Sequence, residues 1–476
     1  MNLAASPSPD ANPRALLWLV AIGFFMQTLD STIVNTALPS MARSLGESPL
    51  RMQAVVVSYA LTMAAIIPAT GWLADRFGTQ RIFMLAVVLF TLGSGACAAA
   101  GSLNQLVAAR VLQGVGGAML LPVGRLTVLR AFPKDQFLEA MSFVAIPGLV
   151  GPLIGPTLGG WLVEVASWHW IFLINLPVGV LGALAAWRLM PNLRAADAGR
   201  FDLGGYLLLV VAMLAISLSL DGLGGMGWGH SLVVMLLVLG LAALAAYWLH
   251  ALRSPAPIFS PALFTVPSYR VGVLGNLFAR IGSGAMPYLI PLLMQVAMGY
   301  SPAQAGMLML PVALASMGAK RMVTRVITRL GYRRVLIGNT LLLGLMIAGF
   351  ALMTPGQPLW LRIIQMALFG AVNSTQFTAM NTVALKDLEP ARAASGNSLF
   401  SMVQMLGMSL GVTCAAALLK AFTEWLHVGS GADALPAFRA ALVAVGVMTM
   451  TSAAIFWQLQ RDRVVPAPHP AAIDDA

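Results

Sequence analysis

Asp30 is the one carboxylate set well inside an apolar stretch of this chain, and Arg110 and Arg280 are the two basic residues so placed. Charges in such surroundings are costly and mark ion or substrate pathways. Low dielectric favours the protonated form of a lone carboxyl, whereas a nearby guanidinium favours the ionised form. The balance of the two can set a proton affinity that a transmembrane gradient loads and unloads. Arg110 is the natural partner, because a guanidinium stays charged and must find acceptors. Two readings of Asp30 with Arg110 stay open. The pair couples transport to protons, or it clamps two helices permanently, since structural ion pairs perturb titration as well. Asp221, Glu139 and Glu164 fall at the ends of apolar stretches, where solvation is easy, and read as interfacial.

A second group of polar residues recurs among apolar neighbours: Gln27, Asn35, Gln113, Asn276, Asn373, Gln376, Asn381, Asn397 and Gln404. Together with Arg280 they are candidates to line a central cavity. For any one of them the plainer reading is a hydrogen bond between helices. No His, Cys or Asp cluster has metal-ligand spacing, so no metal is expected. No Gly-rich phosphate loop is present either, which argues against direct use of ATP.

The elements that must position these residues follow from composition. Of 476 residues, 59% are hydrophobic and 9% charged, and the mean hydropathy is +0.83. A soluble protein needs a charged skin that this chain lacks. The net charge of +11 does not imply nucleic acid, because the basic residues are scattered between apolar stretches. Cys97 and Cys414 both lie in apolar stretches and read as small core residues. An all-α polytopic membrane protein is the expected class. The first 13 residues lack the features of a cleaved signal peptide, so the first apolar stretch is expected to be retained.

Fourteen spans are predicted, at 15–37, 52–73, 82–101, 105–127, 139–162, 169–189, 203–221, 231–251, 271–296, 304–324, 335–354, 359–383, 395–419 and 438–458. With the N-terminus cytoplasmic, 21 Lys and Arg residues fall on the inner side and 5 on the outer side. Positive charges collect on the cytoplasmic side, so both termini are placed there. Asp75 to Arg81 aligns with Thr328 to Arg334 at an offset of 253 residues, which lays span 2 on span 10. The predicted organisation is therefore a tail at 1–14, a six-helix bundle at 15–190, two inserted helices at 203–252, a second six-helix bundle at 270–458, and a tail at 459–476. Duplicated bundles around a central site are the architecture of alternating-access carriers.

Several segments carry a more specific likeness. Gly71-Trp72-Leu73-Ala74-Asp75-Arg76-Phe77-Gly78 followed by Arg81 resembles the signature loop between helices 2 and 3 of the major facilitator superfamily. Arg110 to Ala118 resembles that superfamily's helix 4 motif. Gly148 through Gly151-Pro152, Gly155-Pro156 and Gly159-Gly160 resembles the helix 5 motif found in exporters. The Asp30 segment, Trp168 to Pro177 and Phe201 to Gly204 are similar to the fourteen-span drug/proton antiporter branch. The second copy of the signature loop departs by carrying Thr328 where the first carries Asp75, and His169 stands where the family usually has Arg.

The resemblance implies a major facilitator fold: two six-helix bundles with two inserted helices. It implies a proton-coupled exporter of small organic molecules, multidrug efflux by alternating access, with export of one metabolite or organic anion as the alternative. A membrane sensor or enzyme is the remote one, as no catalytic constellation or long soluble loop is present. The energy source would be the proton gradient, with no cofactor. The partners would be a small-molecule substrate and the lipid bilayer, with no nucleic acid, and the carrier would be a monomer in a bacterial inner membrane. Asp30 and Arg110 would carry proton coupling. Gly71, Asp75, Arg76, Gly78, Arg81, Gly151, Pro152, Gly155, Pro156 and Gly159 would form the conformational gate, with Asp75 latching onto the start of span 13 near Ala394 to Gly396.

Overall fold

The computed structural model describes residues 13–133, 136–195, 199–224, 230–429 and 431–459. The expected tails fall almost wholly outside these residues. So do Lys134, Arg461 and Arg463, which entered the charge count. Among the described residues the long helices run α1 (Pro13–Leu45), α2 (Gln53–Phe77), α3 (Thr79–Ala98), α4 (Leu103–Ala131), α5 (Phe137–Val165), α6 (Trp170–Leu189), α7 (Leu203–Gly224) and α8 (His230–Arg253). They continue with α9 (Pro267–Leu292), α10 (Leu310–Leu330), α11 (Tyr332–Gly349), α12 (Leu359–Leu385), α13 (Pro390–Trp425) and α14 (Leu435–Thr451). Thirteen of the segments are long and apolar enough to cross a membrane. The other, α12, is as long but more polar, because Asn373, Ser374, Gln376 and Asn381 interrupt it. Large apolar side chains such as Leu92, Leu181 and Val238 are exposed on the outer faces, as a lipid solvent allows and water does not.

Local chemistry sets the breaks. Gly78 ends α2 and precedes α3 at φ 97°, and Gly331 does the same between α10 and α11 at φ 78°. These two glycines are equivalent in the sequence repeat, and each sits in a positive-φ extended conformation where a side chain would cost about 1–3 kcal/mol. Ser102 caps α4 by accepting from the Gln105 amide, which resolves the short turn after α3.

Predicted spans 6 and 14 are each interrupted by a one-residue turn, at Ile174 and at Ser452, and spans 9 and 10 are broken near prolines. Span 10 begins as a short helix, Pro302–Leu308, and restarts as α10. The cause is Pro311, which has no N–H to continue the ladder. In span 9 the ladder widens into a π turn, Leu293–Ala297, just beyond Pro287 and Pro291.

In the first half α1 packs on α5, α4 packs on both α2 and α3, and α3 also packs on α6. In the second half α9 packs on α13, α10 on α12, and α11 on α14. The halves meet where α2 lies on α13 and where α5 lies on the Pro302–Leu308 helix. The inserted pair α7 and α8 packs on itself and, through α7, on α2 and α13. Asp202 precedes α7, accepting from the Gly205 amide at 2.9 Å, and lies 2.7 Å from His250 on α8. Burial pushes the Asp202 carboxyl up, but the Gly205 amide and His250 outweigh it and leave it below the usual carboxylate range.

Candidate functional site

Asp30 lies mid-helix in α1 with no exposure at all. Its Oδ2 accepts from Arg110 Nη1 at 2.6 Å, and its Oδ1 accepts from Gln113 Nε2 at 2.8 Å and Asn175 Nδ2 at 3.4 Å. Arg110 comes from α4 and is equally buried. Its Nη1 also donates to Gln113 Oε1 at 2.6 Å, and its Nε donates to the Val55 carbonyl of α2 at 3.2 Å. The guanidinium stacks 4.1 Å from the Tyr59 ring centre. Ser94 of α3 closes the network, accepting from Gln113 at 2.7 Å and Asn175 at 3.4 Å. Five helices of the first half thus meet at one buried ion pair.

The structure brings Asp30, Arg110 and Gln113 together, but it places Gln113 in this network rather than in a cavity. The spacing of Arg110 and Gln113 gives the reason: residues three apart share a helix face. Ser94, Asn175 and Tyr59 were not singled out for this site. Their only signal was a polar group in an otherwise apolar helix.

A cavity of about 240 Å³ lies between the halves, walled by α1, α5, α9, α10 and α12. Thr32, Asn35, Pro152, Pro156 and Asn373 line it, and so does Lys320, which the charge count had placed on the inner side. Asp30 does not line it. It lies on the opposite face of α1, so one helix separates the ion pair from the cavity.

The other cavity candidates are dispersed. Gln376 is buried, donating to Thr340 at 2.7 Å and accepting from Asn339 at 2.8 Å, and so ties α12 to α11. Asn381 bonds its own helix at Phe377 O. Asn276 is fully buried with neither side-chain atom partnered, and Gln27 Oε1 is likewise unpartnered. Arg280 is half-buried, 4.8 Å from the Phe377 ring centre. Asn397 and Gln404 are half-buried on α13.

The gate candidates divide by partner. Gly151, Gly155 and Gly159 face Thr28, Thr32 and Ile33, so they bring α5 against α1 within one half. Contact between halves is made by Gly160, against the Pro302 carbonyl, and by Gly306, against the Pro156 carbonyl. Glu164 Oε2 accepts from Ser301 Oγ at 2.8 Å and from the Ala303 amide at 3.2 Å, and Thr157 donates to Gly306 O at 3.1 Å. Glu164 is therefore a contact between halves and not merely interfacial. Asp75 pairs with Arg130 of α4, in its own half, and not with the start of α13. Arg130 is near in space but 55 residues away in sequence, which hid the pairing. Arg76 and Arg81 are exposed, Gly78 occupies its positive-φ turn, and Gly71 has open space around it.

The profile of the Major Facilitator Superfamily matches residues 20–412. The chain belongs to that superfamily. Its relatives include the multidrug resistance protein MdtD of Serratia proteamaculans (strain 568), 55% identical over 86% of this chain and 85% of that protein. The MdtD of Yersinia enterocolitica (serotype O:8 / biotype 1B) is 50% identical over 94% of this chain and 96% of its own. Solved structures agree on the fold. A POT family transporter in complex with 5-aminolevulinic acid gives a TM-score of 0.68 at 16% identity, covering 94% of this chain and 96% of that one. A D-xylose-proton symporter gives 0.66 at 14% identity, covering 93% and 97%. This member of the superfamily is a multi-pass membrane transporter and not an enzyme.

Proposed function

We propose that the chain is a proton-coupled exporter of small organic molecules, working by alternating access in a bacterial inner membrane. The observation that carries this reading is the buried Asp30–Arg110–Gln113 network on one face of α1, with the cavity on the other. Protonation of Asp30 removes the charge that Arg110 faces, and α1 is the element through which that change reaches the cavity wall. Asp30 takes up and releases the coupling proton while Arg110, always charged, tunes it, and no cofactor is needed because the gradient supplies the energy. The names of the MdtD relatives support drugs as substrates.

In the proposed orientation both termini are cytoplasmic. Reporter fusions after Pro191 and after Arg253 should then both read cytoplasmic, and an external reading at either site would overturn the topology. The contacts of Gly160, Glu164 and Gly306 then lie at the outer end, so this conformation is closed outward.

A second reading concerns the cargo. Lys320 lines the cavity, no carboxylate is among its lining residues, and no acid among the described residues pairs with it. Apolar walls with one amine suit an amphipathic organic anion. The test is a panel of drugs, organic anions and organic cations on inverted vesicles with an imposed proton gradient. Hydrogen bonds to charged groups are worth roughly 1.5–3 kcal/mol. Lys320→Gln should therefore weaken anionic cargo about tenfold or more and spare neutral cargo. Equal effects on both classes would refute the anion reading, and no gradient-driven accumulation of any compound would refute the exporter reading.

A further inference from the structure

Asp221, near the end of α7, is a buried acid that the proton-coupling network does not use. Only 5% of its surface is exposed, and no cation among the described residues lies within ion-pairing distance. Its partner is neutral: Gln53 Nε2, at the start of α2, donates to Asp221 Oδ1 at 2.6 Å. The other atom of that amide, Gln53 Oε1, is buried and has no donor. An ionised carboxylate here would lack a counter-charge and leave the amide half-satisfied, and both are costly. A carboxylic acid removes both costs, because its O–H supplies the donor that Gln53 Oε1 lacks. The acid and the primary amide then form the reciprocal pair of hydrogen bonds that these two groups make with each other.

We infer that Asp221 is a second proton-binding site, separate from Asp30, which holds a proton in this conformation and joins α7 to α2 through Gln53. The site lies at the same end of the molecule as the α5 contact with Pro302–Leu308, on the inserted helix that packs on both halves. The proton comes from water at that end and returns to it when α2 and α7 part. The carboxylate and proton become the acid and are later restored, with nothing carried across. The site thus links proton binding to conformation rather than to cargo.

The titratable group that faces it from α9 is the Tyr288 hydroxyl, itself buried and unpartnered. Charges at this end of the neighbouring helices pair among themselves, Arg51 with Glu47 ahead of α2 and Lys420 with Glu424 on α13. On α8, His230 is the titratable residue at this end of the sequence.

The experiment is infrared difference spectroscopy of the purified full-length protein in lipid nanodiscs across a pH step. The parent should show the carbonyl stretch of a protonated carboxylic acid. Asp221→Asn should remove it, whereas Asp30→Asn and His230→Asn should not. Gln53→Leu keeps the acid but removes its amide, and should shift the band. Thermal unfolding gives a second readout. The parent should lose stability relative to Asp221→Asn as the buffer moves from mildly acidic to alkaline, because the folded state binds the extra proton. A parent without the band, a band that survives Asp221→Asn, or one unmoved by Gln53→Leu would overturn the assignment.

Discussion

Asp30→Asn is expected to abolish gradient-driven export while leaving downhill exchange of substrate. The substitution keeps the size of the side chain and an acceptor for Arg110 but cannot ionise. Moving one charge through the membrane potential is worth ~2.3 kcal/mol per 100 mV. At about 1.4 kcal/mol per decade, that is an accumulation ratio of roughly fiftyfold for each proton coupled. Loss of the titrating group should collapse accumulation to the equilibrium value. Arg110→Ala should be worse for the fold, because it leaves Asp30 buried without a cation, and breaking a buried pair from one side costs about 3–5 kcal/mol. Arg110→Lys keeps the charge but cannot span Asp30, Gln113 and the Val55 carbonyl at once, so it should retain partial coupling. The deciding measurement is proton release on substrate addition to purified protein. Release and export at parental levels in Asp30→Asn would make the pair a permanent clamp.

The positions of these residues were legible to different degrees. Apolar length gave the helices, and the repeat gave the equivalence of Gly78 and Gly331, whose matching positive φ angles share one cause. Charge scarcity inside the spans singled out Asp30 and Arg110, because little else in an apolar helix demands a partner. What periodicity could not supply was the partner across helices. Gln113 looked like a cavity residue until Asp30 and Ser94 met it, and Asp75 found Arg130 instead of the start of α13. Asp221 and Glu164 were discounted by their place near span ends, although each lies at a junction between packed elements. Lys320, counted with the inner-side charges, also lines the cavity, which its place near a span end did not reveal.

Gly160→Val and Gly306→Val should each hold the transporter open at the end where α5 meets Pro302–Leu308. The helices touch there through backbone: a Cβ on Gly160 would overlap the Pro302 carbonyl oxygen, and one on Gly306 would overlap the Pro156 carbonyl oxygen. Backbone atoms cannot rotate away as a side chain does, so relief requires the two helices to separate. Overpacking of this kind typically costs about 1–3 kcal/mol. Here the cost falls on the closed conformation alone, since the contact exists only when the halves meet. A two-state equilibrium moves tenfold for each ~1.4 kcal/mol, so the closed population should fall by roughly 5- to 150-fold. Export should drop accordingly, because the cycle must pass through that state. Gly71→Val is the control, for nothing lies within 4 Å of its Cβ position. The direct readout is an Asn35→Cys background, which places a thiol in the cavity wall for a membrane-impermeant reagent applied from outside. Labelling should rise in Gly160→Val and Gly306→Val and stay at the parental level in Gly71→Val. Parental labelling and export in both variants would mean that this contact does not form the outer closure.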